Sequence, residues 1–250
     1  PDSNICKPTF TVPFAIEAAD VVFQLADSST LNLSPKTLAA VLNGEITNWN
    51  DPAIADDNVG TTFPDLAIKV NKKADQLALG AMTNWMTILK QDISKSGIEP
   101  VVAAELPTLS EGEIAIAPHS QVVAVGIYAA SIVTGINNET GEQILAVADS
   151  IGIAAGASQL VAKKDATSVA VALDPTLEVI AQAGLDEAAP PYQAIYPVNL
   201  YACGEESLLK HAMALYLLRL DSQGALSASN FNPLAEAVRF ESLDVARKGL

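Results

Sequence analysis

The sequence contains little positive charge. Its 250 residues include 14 Lys and Arg against 29 Asp and Glu, which gives a formal net charge of −15. Proteins that bind nucleic acid present a basic stripe or patch, so nucleic acid is excluded as a partner. The most apolar stretch, residues 122–133, is shorter than a membrane-spanning helix and suits a buried strand or helix instead. We therefore predict no transmembrane segment in this chain.

Residues that carry catalysis are scarce. Only two histidines are present: His211 falls inside a predicted amphipathic helix, and His119 follows a proline in a predicted loop with no Cys or Ser motif nearby. The sequence contains no G-x-S-x-G, no Walker loop and no G-x-G-x-x-G after a strand. The two cysteines lack the paired spacing of a zinc site. We predict that the protein is not an enzyme and holds no cofactor and no metal.

The two cysteines, Cys6 and Cys203, stand near opposite ends of the sequence. An even count is compatible with one disulfide in an oxidising compartment. It is equally compatible with two buried thiols, and the count leaves both readings open.

The composition is that of a globular protein, since half of the residues are apolar and 17% are charged. Predicted strands alternate with predicted helices, which indicates an α/β protein with mixed or parallel sheets. The strands are expected at 9–25 (two strands broken at Pro13), 66–71, 113–117, 122–129 and 194–204. The helices are expected at 35–43, 79–89, 174–184, 206–220 and 233–243, with another beginning at 52. Pro190 and Pro191 form the clearest break in the chain.

The stretch "LSPKTLAAVLNGEITNWNDPAI", residues 33–54, contains two helix starts and a tryptophan. Ser34 caps a helix whose next residue is proline, and the Asn-Gly pair ending at Gly44 stops it in a left-handed turn. Asp51 repeats the cap-plus-proline signal. Trp49 is expected to fix the corner between the two helices.

Part of this stretch, "GEITNWNDPAI", resembles the "G-x-I-x-x-W-N-D-P-A-I" segment of the phosphate-binding proteins, the extracytoplasmic receptors of phosphate ABC transporters. The resemblance is strong over 31–70, moderate over 196–238 and weak between them. It implies an α/β type II periplasmic-binding-protein fold with two lobes, residues 1–67 with 190–250 and residues 68–189, joined by two crossing strands. Because family members carry a strand, a glycine-rich loop and a βα unit before the first crossing segment, it also implies that lobe one is incomplete here.

The resemblance carries further expectations. It implies an extracytoplasmic bacterial protein, with a small oxyanion such as phosphate as ligand and an ABC permease or envelope protein as partner. Cys6 and Cys203 would lie beside the two crossing segments as neighbours. The resemblance therefore predicts a Cys6–Cys203 disulfide.

The same resemblance locates a ligand site at which this sequence departs from the family. The family's "R-x-D-G-S-G-T" loop clasps phosphate at a helix N-terminus, whereas residues 73–80 here read "KADQLALG". Lys73 stands at the arginine position and Asp75 at the aspartate position, and Gly80 ends the segment. The Gly-Ser-Gly-Thr run is replaced by Gln, Leu, Ala and Leu.

This departure weakens the predicted site, because two hydroxyl donors have become leucines and the glycines that let the backbone approach a ligand are gone. Asp75 is also a natural N-cap, whose carboxylate competes with phosphate for the helix amides. We expect a domain that has lost phosphate binding and acts as an interaction or structural module. The alternative is a receptor for phosphate or another small oxyanion that feeds an ABC transporter.

Overall fold

The computed structural model describes residues 6–173 and 190–248, in which strands and helices alternate as an α/β protein. The strands are β1 (Pro8–Phe23), β2 (Asn32–Leu33), β3 (Lys69–Val70), β4 (Lys73–Asp75), β5 (Glu99–Val101), β6 (Glu113–Pro118), β7 (Ser131–Ile136), β8 (Gln143–Ala146), β9 (Leu160–Lys164), β10 (Val169–Leu173) and β11 (Ile195–Cys203). The helices are α1 (Pro35–Leu42), α2 (Pro52–Asp57), α3 (Gln76–Ile88), α4 (His119–Val125), α5 (Ser150–Ala157), α6 (Leu208–Leu217), α7 (Leu220–Ala225) and α8 (Glu236–Arg247). The helix predicted at 174–184 lies outside the described residues.

A four-stranded sheet in the order β11-β1-β6-β3 forms the centre of the molecule. Strand β1 runs antiparallel to β11 from Pro8 to Ala18, and then antiparallel to β6 from Ala19 to Phe23. β3 closes the sheet in parallel with β6. Smaller sheets are formed by β2-β7-β8, by β9-β10 and by β4-β5.

The prediction of two strands broken at Pro13 is wrong, because β1 is one continuous strand of 16 residues. Pro13 and Ala15 face Asn199 and Val198, so the residue between them is an extra one and the register shifts there. A proline has no N–H to donate, and a bulge is one of the places where a sheet accepts it. The register of β1 against β11 therefore shifts beside the proline, and the strand continues past it.

The disulfide predicted from the resemblance is present. Strands β1 and β11 contain the two segments that the resemblance predicts as crossing segments, and they pair directly so that Pro8 lies opposite Cys203. Cys6 and Cys203 are bonded, with their Cα atoms 5.9 Å apart. The bond joins residues that are 197 positions apart in the sequence, which is a long loop to close in the unfolded chain.

The prediction of a strand at 122–129 is wrong as well. Helix α4 occupies the first part of this stretch and ends at Gly126, whose φ of 75° is left-handed. The uninterrupted run of valine and alanine has no alternation, so periodicity alone does not separate a strand from a helix. Val123 and Val125 are exposed on the helix and only Val122 is buried. The predicted strand at 66–71 is shortened to β3, preceded by a single bridge between Ala67 and Asn48.

The corner predicted around Trp49 is present. Ser34 and Asp51 accept hydrogen bonds from the first-turn amides of α1 and α2, and Gly44 has a φ of 76°. The Trp49 side chain is fully buried, and its Nε1–H donates to the carbonyl of Gly112 at 3.1 Å. Because Gly112 directly precedes β6, the tryptophan attaches the corner to the central sheet.

We expect Trp49→Phe to lower the free energy of unfolding by about 2–3 kcal/mol, because it removes the hydrogen bond to Gly112 and leaves a cavity. Trp85→Phe is the matched control: Trp85 is equally buried and packs edge-to-face on Tyr192, and its indole donates no hydrogen bond to the described residues. Chemical denaturation of both variants measures the difference. Equal losses would show that the Gly112 bond contributes nothing.

Candidate functional site

The segment predicted to hold an oxyanion lies where β4 runs into α3. β4 pairs in parallel with β5, which fixes the direction from which the chain enters the helix. Asp75 is the N-cap of α3, and its Oδ1 accepts hydrogen bonds from the amides of Leu77 at 2.9 Å and Ala78 at 3.2 Å. The side chain is buried. The amides that would bind an anion are thus taken by a carboxylate of the chain itself.

The other two predicted ligand residues contribute little polar chemistry to this helix start. Lys73 is exposed, and its ammonium makes no hydrogen bond or ion pair with the described residues. Gly80 lies in the second turn of α3, where an added Cβ would meet no atom within 4 Å. No close approach of another group therefore requires glycine at this position. Leu77, which replaces a hydroxyl residue of the family pattern, is 56% exposed at the helix start.

A cluster of polar side chains that the sequence analysis does not predict lies on β1. Glu17 and Asp20 are both buried in the central strand. Oε1 of Glu17 accepts hydrogen bonds from its neighbouring amide at Ala18 (2.9 Å) and from the amide of Ser120 (3.2 Å). Oδ2 of Asp20 accepts a hydrogen bond from Nδ1 of His119 at 2.9 Å. Oδ1 of Asp20 is buried without a partner among the described residues.

Burial dominates the electrostatics of this cluster. Desolvation raises the pKa of Glu17 and of Asp20, and the hydrogen bonds that favour the ionised carboxylates do not offset it. Burial alone would lower the pKa of His119, but the hydrogen bond and charge of Asp20, helped by other nearby carboxylates, raise it. The three groups therefore hold protons more tightly than they would in water.

Two tyrosines lie beside this cluster. The hydroxyl of Tyr192 donates to the carbonyl of Ala19 at 2.6 Å. Tyr196 lies opposite Glu17 in the β1–β11 register. Burial raises the pKa of Tyr196, and the negative charges of Glu17, Asp75 and Asp20 raise it further. The Asp75 cap and the β1 cluster thus act on the same phenol and belong to one electrostatic region.

This region contains a further carboxyl group. Asp149 caps α5 by accepting hydrogen bonds from two first-turn amides (2.7 and 3.0 Å), and its charge also raises the pKa of His119. Two helix starts in the region, those of α3 and α5, are thus capped by carboxylates of the chain. Within the described ranges, no three His, Cys, Asp or Glu side chains gather as a metal site would require.

The sequence carried a signal for this cluster. Glu17 and Asp20 stand three residues apart inside an otherwise apolar strand, and acidic residues are rarely buried there without partners. The partner His119 was assigned to a loop because α4 was not predicted. The other histidine, His211, is buried, stacked on Phe10, and hydrogen-bonded to the carbonyl of Ala246.

A segment of the chain is similar in sequence to known phosphate-binding proteins. Phosphate-binding protein PstS2 of Mycobacterium bovis is 36% identical over 70 residues, which are 28% of this chain and 19% of that protein. The match thus covers about a fifth of the relative's length. No family model matches the chain.

The fold is found in solved structures along nearly the whole chain. A high-affinity periplasmic phosphate-binding protein, PfluDING, solved with bound phosphate, aligns with a TM-score of 0.55 and 17% identity, over 92% of this chain and 69% of that one. Phosphate-binding protein from Stenotrophomonas maltophilia aligns with a TM-score of 0.52 and 13% identity, over 97% of this chain and 72% of that one.

The fold is that of the type II periplasmic binding proteins. Within this class the chain is related to the phosphate-binding proteins, by this fold and by the shared 70-residue segment. The resemblance inferred from residues 44–54 is thereby confirmed. No helix in the described part of the chain is long and apolar enough to span a membrane.

We expect Asp75→Ala to lower the free energy of unfolding by about 1 kcal/mol, because two amides of α3 lose their acceptor. Asp75→Asn is the matched control, since asparagine caps a helix almost as well and removes only the charge. Thermal and chemical denaturation compare the two variants. A loss in the Asn variant as large as in the Ala variant would mean that charge, and not capping, stabilises this helix start.

The β1 cluster predicts a distinct dependence of stability on pH. Because the pKa values of Glu17, Asp20 and His119 are raised by folding, the folded state binds more protons than the unfolded state. Their contribution is complete below the unfolded pKa values and is lost as pH rises through the raised values. The free energy of unfolding should therefore fall as pH rises above the ordinary values, about 4 for the two carboxyls and about 6.5 for the histidine, from about pH 4 through neutrality.

The measurement is urea denaturation across this range. An Asp20→Asn, His119→Gln double variant should show a flatter dependence, and Asp27→Asn, at an exposed carboxylate outside the cluster, should keep the full one. If the double variant keeps the slope of the unmodified chain, the cluster is not its source.

Proposed function

We propose that the chain is a phosphate-binding-protein-like extracytoplasmic domain that has lost phosphate binding and acts as an interaction or structural module. The observation that carries the proposal is the start of α3, where Leu77 replaces a hydroxyl residue of the family pattern and its amide is already bonded to Asp75. A phosphate at the start of α3 needs the free amides of Leu77 and Ala78, and both already donate to Oδ1 of Asp75. To bind there, phosphate would have to displace an intramolecular carboxylate that is held at no translational entropy cost.

The charges around this helix support the same proposal. Glu17, Asp20 and Asp149 lie near His119, whose Nδ1 is paired with Asp20. Lys73 is exposed and supplies a single flexible ammonium in place of a forked guanidinium, which binds phosphate with two parallel hydrogen bonds. A dianion entering this region meets several carboxyl groups and one exposed ammonium.

One observation favours the alternative, a receptor for phosphate or another small oxyanion. Asp20 has a raised pKa, and its buried Oδ1 has no partner in the part of the chain that the structure describes. A neutral carboxylic acid donates a hydrogen bond, and a buried one is suited to meet an anion's oxygen. An oxyanion site of this kind would be centred on β1 and would strengthen at acidic pH.

The disulfide and the relatives support the proposed compartment. Disulfides persist in oxidising environments such as the periplasm and the cell surface, and PfluDING is described as periplasmic. An envelope protein or an ABC permease is the partner we propose. The division into lobes at 1–67 with 190–250 and at 68–189 stays a prediction. A binding role is proposed in preference to catalysis.

Isothermal titration calorimetry with phosphate tests the proposal. The unmodified chain should give no heat at about millimolar phosphate, whereas a working receptor binds at about micromolar or tighter. PfluDING titrated in the same buffer is the positive control. Saturable binding that survives Asp20→Asn but is lost in Lys73→Ala would contradict the proposal at the predicted site.

The same titration repeated at acidic pH distinguishes the proposed loss of phosphate binding from the alternative, an oxyanion site on β1. Binding that appears only there, and that Asp20→Asn abolishes, would support an oxyanion site on β1. A variant with five substitutions restores the family pattern: Lys73→Arg, Gln76→Gly, Leu77→Ser, Ala78→Gly and Leu79→Thr. If this variant binds phosphate, the residues at these five positions account for the loss of phosphate binding in the unmodified chain.

A further inference from the structure

A groove lies between α6 and α8 on the surface of the molecule. Its volume is about 390 Å³, which is within the range of pockets that hold small molecules, about 300–1,000 Å³. Four of the side chains that line it are apolar or aromatic, two are arginines, and none is a carboxylate. They are Ala212, Leu215, Tyr216, Arg219, Leu243 and Arg247.

Hydrogen bonds between the two helices hold the walls of the groove in place. Nδ1 of His211, near the start of α6, lies 2.7 Å from the carbonyl oxygen of Ala246, near the end of α8. Nη1 of Arg239, near the start of α8, donates to the carbonyl of Leu218, the C-cap of α6, at 3.2 Å. The helices are therefore antiparallel and joined at both ends. A groove with fixed walls binds a ligand without first having to be ordered.

The floor of the groove is apolar. Leu243 is 9% exposed and belongs to the hydrophobic core, and Leu215 is half-buried and packs against that core. Tyr216 is exposed at the rim. Because the groove is open to water, an apolar ligand that covers this floor gains free energy by removing apolar surface from water.

The two arginines give the groove its charge. Nε and Nη2 of Arg219 already donate to the carboxylate of Asp221, at 3.0 and 2.7 Å. Arg247 is exposed and forms no ion pair with the residues that the structure describes. Asp244, one turn before Arg247, is paired with Lys164 instead. The Arg247 guanidinium can therefore bind a carboxylate through two parallel hydrogen bonds.

We propose that this groove binds a small amphipathic monoanion, in which an acyl chain or an aromatic ring carries one carboxylate. The apolar part of the ligand covers Leu215 and Leu243, and its carboxylate binds Arg247. The net charge of −15 disfavours ligands that carry several negative charges, and one unpaired guanidinium matches one carboxylate. The site is separate from the start of α3, so the loss of phosphate binding neither requires nor excludes it.

Isothermal titration calorimetry with octanoate, below the concentration at which it forms micelles, tests the site. We expect saturable binding of one octanoate per chain. Decanoate should bind about four- to fifteenfold more tightly, because it buries up to two more methylene groups. Octan-1-ol has the same chain length without the charge, and it should bind at least about tenfold more weakly, because a hydrogen bond to a charged group is worth more than a neutral one.

Two variants locate the ligand. Arg247→Ala should weaken octanoate binding at least about tenfold, because the carboxylate loses its guanidinium partner. Lys248→Ala is the matched control, since it removes the same charge from the next residue, which does not line the groove, and it should leave the affinity unchanged. Ala212→Trp should abolish binding by filling the groove. Ala212 is exposed, so circular dichroism of this variant should show an unchanged fold.

Several results would overturn the proposal. One is the absence of saturable binding at about millimolar octanoate. Equal losses in Arg247→Ala and Lys248→Ala, or equal affinities for octanoate and octan-1-ol, would show that Arg247 holds no carboxylate. Binding that survives Ala212→Trp would place the ligand outside the groove. Cosedimentation with phosphatidylglycerol vesicles in the absence of octanoate binding would assign the contact to a membrane surface and would also overturn it.

Discussion

The structure depends on one constraint: strand β1 changes its partner halfway along its length. Its first part pairs with β11 and its second part with β6, and the change falls between Ala18 and Ala19. Where the partner changes, the row of hydrogen bonds between neighbouring strands is interrupted. The amide of Ala19 bonds instead to the carbonyl of Ala194, just before β11. This short stretch of backbone therefore joins the β11-paired and the β6-paired parts of β1.

The polar cluster occupies this same point. Glu17 and Asp20 flank the change of partner, and their hydrogen bonds come from the segment that directly follows β6. Buried carboxylates are costly unless they are paired. Here they pair with the amide of Ser120 and the ring of His119, and they thereby hold the start of α4 against β1. The cluster therefore has a structural role where β1 changes its partner.

Sequence reasoning succeeded where local chemistry decides the structure. Cap residues, a proline and a left-handed glycine fix the corner at Trp49 within a few residues, and its burial follows from them. It failed where a distant partner decides. The bulge at Pro13 depends on the register with β11, α4 depends on its packing against β1, and the pairing of Asp20 with His119 spans 99 residues. The replacement of the hydroxyl residues at α3 was visible in the sequence, and the Asp75 cap follows from propensity alone.

Helix α6 shows why amphipathicity alone does not give orientation. Its sequence has an apolar side, and such a side is ordinarily assigned to the core. In this fold the core side is decided by His211, which has a specific acceptor in α8 and an aromatic partner in β1. Hydrogen bonds and stacking are directional, whereas apolar contact is not. A buried histidine therefore orients the helix and leaves its leucines on the outer surface.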